Sequence, residues 1–172
     1  ANLAFVARRS FKQARAALLT LQRRLHASVM PPKSRTVFSH LWLAARFSLS
    51  EISKFQGRFE EAALCAVSGI DDAASLIQGH YVRKFLALRS SLNLKLGNFA
   101  SAELDVNSCL DSFVSSKIES LDLVKCYLLK TAILRAKSTS KINDISVEIV
   151  HECIDLLREA KQVASVLAYS VG

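Results

Sequence analysis

Glycine and proline are scarce in this chain, at five and two of 172 residues. An all-β fold needs frequent turns, and turns are built mainly from those residues, so the composition excludes a sandwich or barrel. Long hydrophobic runs are missing too. Apolar stretches such as Ala62 to Val67 are short and interrupted by polar residues, far from the roughly 18 apolar residues of a membrane span. Four cysteines, Cys65, Cys109, Cys126 and Cys153, are separated by 44, 17 and 27 residues with no CxxC pair. A zinc ribbon or redox motif therefore has no support. Each cysteine falls inside an apolar helical pattern, where a free thiol acts as a small buried hydrophobe. That usage fits a reducing, intracellular compartment.

Catalytic and cofactor signatures are also lacking. His26, His40, His80 and His151 form no HExxH and no His/Cys cluster at metal-ligand spacing. His151, Glu152 and Cys153 are consecutive, so on a helix they point in different directions. There is no GxGxxG, P-loop or GxSxG. The expectation is a protein that is not an enzyme and uses no cofactor or metal.

Acid is missing from one end. Residues 1–50 hold nine Lys/Arg and no Asp or Glu, whereas 51–172 hold 14 Lys/Arg against 15 Asp/Glu. The net charge of +8 thus belongs to the first segment. Three explanations stand: contact with an acidic partner (nucleic acid, acidic protein or anionic lipid), an Arg-rich mitochondrial transit peptide, or a solvated basic face. The chain opens on Ala inside an apparent helix, which suggests a fragment or a processed product.

What is present favours helices. Apolar residues make up 51% of the chain, enough to build a core at this length, and Ala and Leu suit helices. Ala7, Phe11, Ala14, Leu18, Leu21 and Leu25 recur at alternating steps of four and three, the stripe of a first helix within 1–30. Arg8, Lys12, Arg15 and Arg23 lie beside that stripe and form the candidate partner-binding surface. Pro31-Pro32 ends the region. Helices follow from about Thr36 to Phe55, Arg58 to Leu76 and Tyr81 to Leu96, then one carrying Phe99, Ala102, Val106 and Leu110. After a turn near Ser115-Ser116, a helix from about Ile118 to Lys137 has Leu121, Val124, Leu128 and Ala132 as its stripe. A polar loop, Ser138 to Asp144, leads to a last helix from about Ser146 to Ala168. Its stripe reads Val147, Val150, Ile154, Leu157, Ala160, Ala164 and Leu167. About seven helices with short connections imply antiparallel packing.

The chain repeats itself. Gly57, Phe59 and Ala62 recur as Gly97, Phe99 and Ala102, with the same spacing. Gly permits a tight turn between two helices, Phe plugs the gap, and Ala lets the backbones approach. Together with Ser91, Leu92 and Leu110, this pattern resembles the tetratricopeptide repeat. The resemblance covers two repeats, with a looser half repeat on either side. Its Phe-to-Phe intervals are 48 and 40 residues, longer than the family's repeat, and Arg46 stands where the family has Trp.

The resemblance implies an all-α solenoid of stacked helix pairs, a single domain over 1–172 and a part in a larger assembly. It also implies a concave groove lined by the first helix of each pair. Mapped onto this sequence, the groove candidates are Phe47, Lys54, Lys84, Ser91 and Lys95, with Ala44, Glu51, Ala87 and Leu94 beside them. Family members that clamp a peptide carboxylate place Asn where Glu51 and Ser91 stand here, and Glu51 would repel a carboxylate, so that clamp is disfavoured. The expected partners are other protein subunits, an acidic surface or neighbouring repeats, with RNA in a ribonucleoprotein as the alternative. The expected location is the cytoplasm, with the mitochondrion as the alternative. A plain helical bundle or HEAT-like array is the alternative architecture.

Overall fold

The structure is a computed structural model that describes residues 12–20, 23, 35–140 and 147–169. Among them it is all-helical. A first helix, α1, is described over 12–20. Six more follow: α2 (Arg35–Phe55), α3 (Phe59–Ser75), α4 (Gly79–Lys95), α5 (Phe99–Ser116), α6 (Leu121–Ser140) and α7 (Val147–Tyr169). Seven helices and no strands among the described residues match the all-α expectation. Most of the proposed first stripe, Pro31-Pro32 and residues 141–144 of the expected loop lie outside the described residues, whereas Ser138, Thr139 and Ser140, expected in that loop, are the last residues of α6.

The four joints described, between α2 and α6, share one geometry. Gly57, Ile77, Gly97 and Lys117 all take left-handed backbone, at φ 75, 56, 78 and 51°. They fall every 20 residues. At each joint the left-handed residue and its successor donate two backbone hydrogen bonds back into the helix just ended. Gly57 N–H reaches Lys54 O at 3.0 Å and Arg58 N–H reaches Ser53 O at 2.9 Å. Ile77 and Gln78 pair in the same way with Ala74 and Ala73, Gly97 and Asn98 with Leu94 and Asn93, and Lys117 and Ile118 with Val114 and Phe113. These double closures satisfy carbonyls that a helix end leaves orphaned and reverse the chain sharply. Ser115 and Ser116 belong to α5 rather than to a turn; the break comes at Lys117.

The chain divides into two compact units, Ala1–Phe85 and Leu86–Gly172. In the first, α2 packs on α3. Trp42 near the start of α2 bonds Asp72 near the end of α3, and Ser50 meets Ala62 near the joint, so the pair is antiparallel. The core here holds Leu43, Ala66, Ala73 and Phe85, all fully buried. Burial of such side chains contributes on the order of 1.5–3 kcal/mol each for the larger ones.

In the second unit α5 packs on α6 and α6 on α7. The α5–α6 pair is antiparallel as well: Glu103 reaches Lys137, while Cys109 meets Cys126. Its core joins Val106, Cys109, Leu110, Phe113, Leu123, Cys126, Ile133 and Val163. Ser120 starts α6, its Oγ accepting from the Leu123 N–H at 3.3 Å, with Asp122 favourably placed in the first turn.

Two apolar stripes differ from the sequence expectation. On α7, Val147, Val150, Ile154 and Leu157 are exposed, whereas Ala160 and Val163 are buried and Leu156 and Leu167 are half-buried. On α6, Leu121, Leu128 and Ala132 are exposed, and Leu123, Cys126, Ile133 and Leu134 are buried instead. The cause is that each helix carries apolar residues on two well-separated faces, on nearly opposite sides in α6. Period alone does not say which face a neighbour covers.

Candidate functional site

The repeat residues sit at the two Gly-containing joints. Ala62 and Ala102 are fully buried, and Phe59 and Phe99 are half-buried beside them. Ser50 Oγ donates to the Ala62 carbonyl at 2.7 Å, and Ser90 Oγ donates to the Ala102 carbonyl at 2.7 Å. Both serines are fully buried, so each hydroxyl satisfies itself by tying two helices together. The same bond at the same offset in both units makes the repeat structural as well as sequential.

The basic stripe is described only in part. Arg8 lies outside the described residues. Lys12 and Arg23 are helical and exposed. Arg15 differs from them: its Nη2 donates to Glu61 Oε1 at 2.7 Å, and the other oxygen of that carboxylate takes Arg58 Nη1 at 2.6 Å. Arg15 therefore docks α1 onto α3, and its charge is answered inside the unit. Counted over residues 1–85, thirteen Lys/Arg face five Asp/Glu, whereas residues 86–172 hold ten of each. The whole net charge thus lies in the first unit.

Beside Arg15 is a pocket of about 250 Å³ lined by Leu19, Arg46, Leu49, Glu61 and Cys65 among others. Its cations are paired. Arg46 Nε stands 2.8 Å from Asp72 Oδ2, and its guanidinium lies 5.3 Å from the Trp42 ring centroid. Trp42 Nε1 donates to the same Asp72 oxygen at 2.8 Å. Burial, reinforced by Glu61, pushes the Cys65 thiol above its ordinary value and keeps it protonated. The pocket thus joins a thiol of raised pKa to two arginines, Arg15 and Arg46, held by Glu61 and Asp72.

Of the groove residues, Phe47 is half-buried and packs edge-on against Phe85, ring centroids 5.5 Å apart. The Lys84 ammonium rests 5.9 Å from the Phe47 centroid and 5.8 Å from that of Tyr81. Tyr81 packs between His40 and His80, with centroids at 5.8 and 5.5 Å, and its hydroxyl donates to the His40 carbonyl at 3.3 Å. Lys54 pairs with Glu51 at 3.5 Å. All of these belong to the first unit. Ser91, half-buried, and Lys95, exposed, belong to the second.

No family model, curated protein or solved structure matches this chain.

In the second unit the geometry brings together groups that sequence reasoning left apart. Arg89 grips Asp105 with two bonds, Nε–Oδ2 at 2.8 Å and Nη2–Oδ1 at 2.5 Å, and Asn93 Nδ2 adds a third at 3.2 Å. The Asp105 side chain is only 4% exposed. An aspartate inside the apolar series Ala102, Val106, Cys109 was the available signal for a buried ion pair. On the outside, Val147, Val150, Ile154 and Leu157 line one side of α7, with Val147 69% and Leu157 46% exposed. Among the described residues no cluster of His, Cys, Asp and Glu suits a metal ion, and no helix is long and apolar enough to cross a membrane.

Proposed function

We propose that this chain is a non-enzymatic protein-interaction scaffold, a tetratricopeptide-like part of a larger multi-subunit assembly inside the cell, in a reducing compartment such as the cytoplasm. The observation that carries the reading is the α7 stripe. Four apolar side chains at helical spacing stand in solvent on a helix whose other face is already packed. Such a contiguous patch is the kind that a partner subunit or a neighbouring repeat covers. The even 20-residue joints support a repeat architecture. The first unit adds a basic surface whose exposed members, Lys12 and Arg23, suit an acidic partner.

The test is co-purification with two variants. Val150→Asp with Ile154→Asp places charge on the α7 stripe; Lys12→Glu with Arg23→Glu reverses the basic surface while leaving the Arg15–Glu61 bond intact. Loss of a protein partner in either variant, with the melting curve unchanged, is the expected result. Retention of every partner by both variants overturns the reading.

The concentration of all net charge in residues 1–85 favours one alternative, an RNA-associated role in a ribonucleoprotein, mitochondrial or otherwise. That reading expects single-stranded RNA binding whose affinity falls with salt at a slope of about −0.7 per phosphate contacted. Binding that is absent at low salt removes it.

A further inference from the structure

We propose that Cys109 and Cys126 are a latent disulfide, formed reversibly when the protein meets a peroxide and clamping α5 to α6. The two sulfurs are 3.3 Å apart across the antiparallel pair. Both side chains are buried among Val106, Leu110, Phe113 and Leu123, so each is held in place by packing. A disulfide needs its sulfurs about 2.05 Å apart. Closing the remaining gap calls for rotation of both side chains about their Cα–Cβ bonds. Cys65 and Cys153 lie elsewhere, on α3 and α7.

The chemistry balances. The Cys126 thiolate attacks one oxygen of hydrogen peroxide; the O–O bond breaks, and the departing hydroxide takes a proton to become water. The product is a sulfenic acid. The Cys109 sulfur then attacks the Cys126 sulfur, the S–S bond forms and the S–O bond breaks. The second hydroxide leaves with the Cys109 proton as water. Two thiols lose two electrons, and the peroxide gains them. Cys126 is the better first nucleophile. The hydrogen bond from Cys109 holds its thiol below the ordinary value, outweighing burial and the nearby Asp122 carboxylate.

Both thiols are buried, so a peroxide reaches them only when the hairpin opens locally. The joint between the two helices holds Lys117 at φ 51°, a conformation that disfavours a side chain. The proposal places the opening at this joint.

The experiment treats the purified chain with a small excess of hydrogen peroxide, then digests it without reduction for mass spectrometry. The expected product is a cross-linked pair of peptides carrying residues 109 and 126, two hydrogens lighter than their sum, and reversed by dithiothreitol. The oxidised chain melts several degrees higher, because the 17-residue loop is now closed in the unfolded state. In concentrated urea the same treatment gives mixed links among all four cysteines. Cys109→Ala and Cys126→Ala each lose the product and the melting shift. Because either variant can unfold for other reasons, the wild-type comparison stands alone. Retention of all four thiols in the native chain, or native links that include Cys65 or Cys153, overturns the proposal, as does irreversible sulfinic acid as the main product.

Discussion

Phe85 fills the space that a side chain on residue 69 would occupy. A Cβ built on Gly69 would meet three carbons of the Phe85 ring, Cδ1 at 2.7 Å and the other two closer. Gly69 lies inside α3 and Phe85 is fully buried, so the ring has nowhere to retreat. In an exposed helix, replacing Gly by Ala stabilises by roughly 0.5–1 kcal/mol. Here the sign reverses: Gly69→Ala is expected to destabilise by about 1–3 kcal/mol, the range for overpacking. Adding Phe85→Leu frees room and recovers part of the loss. Urea titration of the two singles and the double checks this. Additive costs would separate the two residues.

The Arg89–Asp105 pair is the clearest buried electrostatic feature of the second unit. Asp105→Ala leaves Arg89 and Asn93 without their acceptor, and a cost of about 2 kcal/mol is expected. That is below the 3–5 kcal/mol of a fully buried pair, because Arg89 is 27% exposed and water screens what remains. Replacing both, as Arg89→Met with Asp105→Leu, is expected to come much closer to wild type than the single change. A thermodynamic cycle measures the coupling. A coupling near zero would mean that the aspartate is held by packing rather than by its partners.

How far the sequence can be read is visible at the four joints. Gly57 and Gly97 announce left-handed turns, because glycine alone adopts that backbone without cost, and the Phe and Ala that follow fix where the next helix begins. Ile77 and Lys117 adopt the same backbone without announcing it. Their geometry is dictated by the helices on either side, so the Gly-to-Gly spacing of 40 hides a joint spacing of 20. Helix boundaries were legible where that local punctuation exists, at Gly57 and Gly97, and missed where it does not: α5 runs on through Ser116 and α6 through Ser140. The outer stripes of α6 and α7 were not, since apolar residues on two separate faces share one period and only packing selects between them. The approach of Arg89 to Asp105, and of Cys109 to Cys126, depends on the register between helices, which no local signal encodes.

The α7 helix offers a paired test of that selection. Val150→Ser and Ile154→Ser on the exposed side are each expected to change stability by less than about 0.5 kcal/mol, as surface substitutions do. Val163→Ser, on the buried side, removes apolar contacts and buries a hydroxyl, with a loss of about 1–3 kcal/mol. Thermal melting of the three variants decides. Equal losses on both sides would mean that the Val150 side is covered within the protein itself.

The joints carry a prediction of opposite sign at matched positions. A left-handed non-glycine residue costs roughly 1–2 kcal/mol, and Ile77 is a β-branched residue at φ 56° with its side chain 90% exposed, so it gains almost nothing from burial in return. Ile77→Gly is therefore expected to stabilise by about 1 kcal/mol, after the extra entropy of glycine in the unfolded chain is subtracted. Lys117→Gly is expected to act in the same direction. At Gly57 and Gly97 a Cβ would meet no atom within 4 Å, so crowding is not at issue. Gly57→Ala and Gly97→Ala should still destabilise, by about 1 kcal/mol each, through backbone strain alone. Chemical denaturation of the four single variants gives two gains and two losses if the 20-residue periodicity governs the fold. A loss at Ile77→Gly would show that its side chain makes a contact in solution that outweighs the strain.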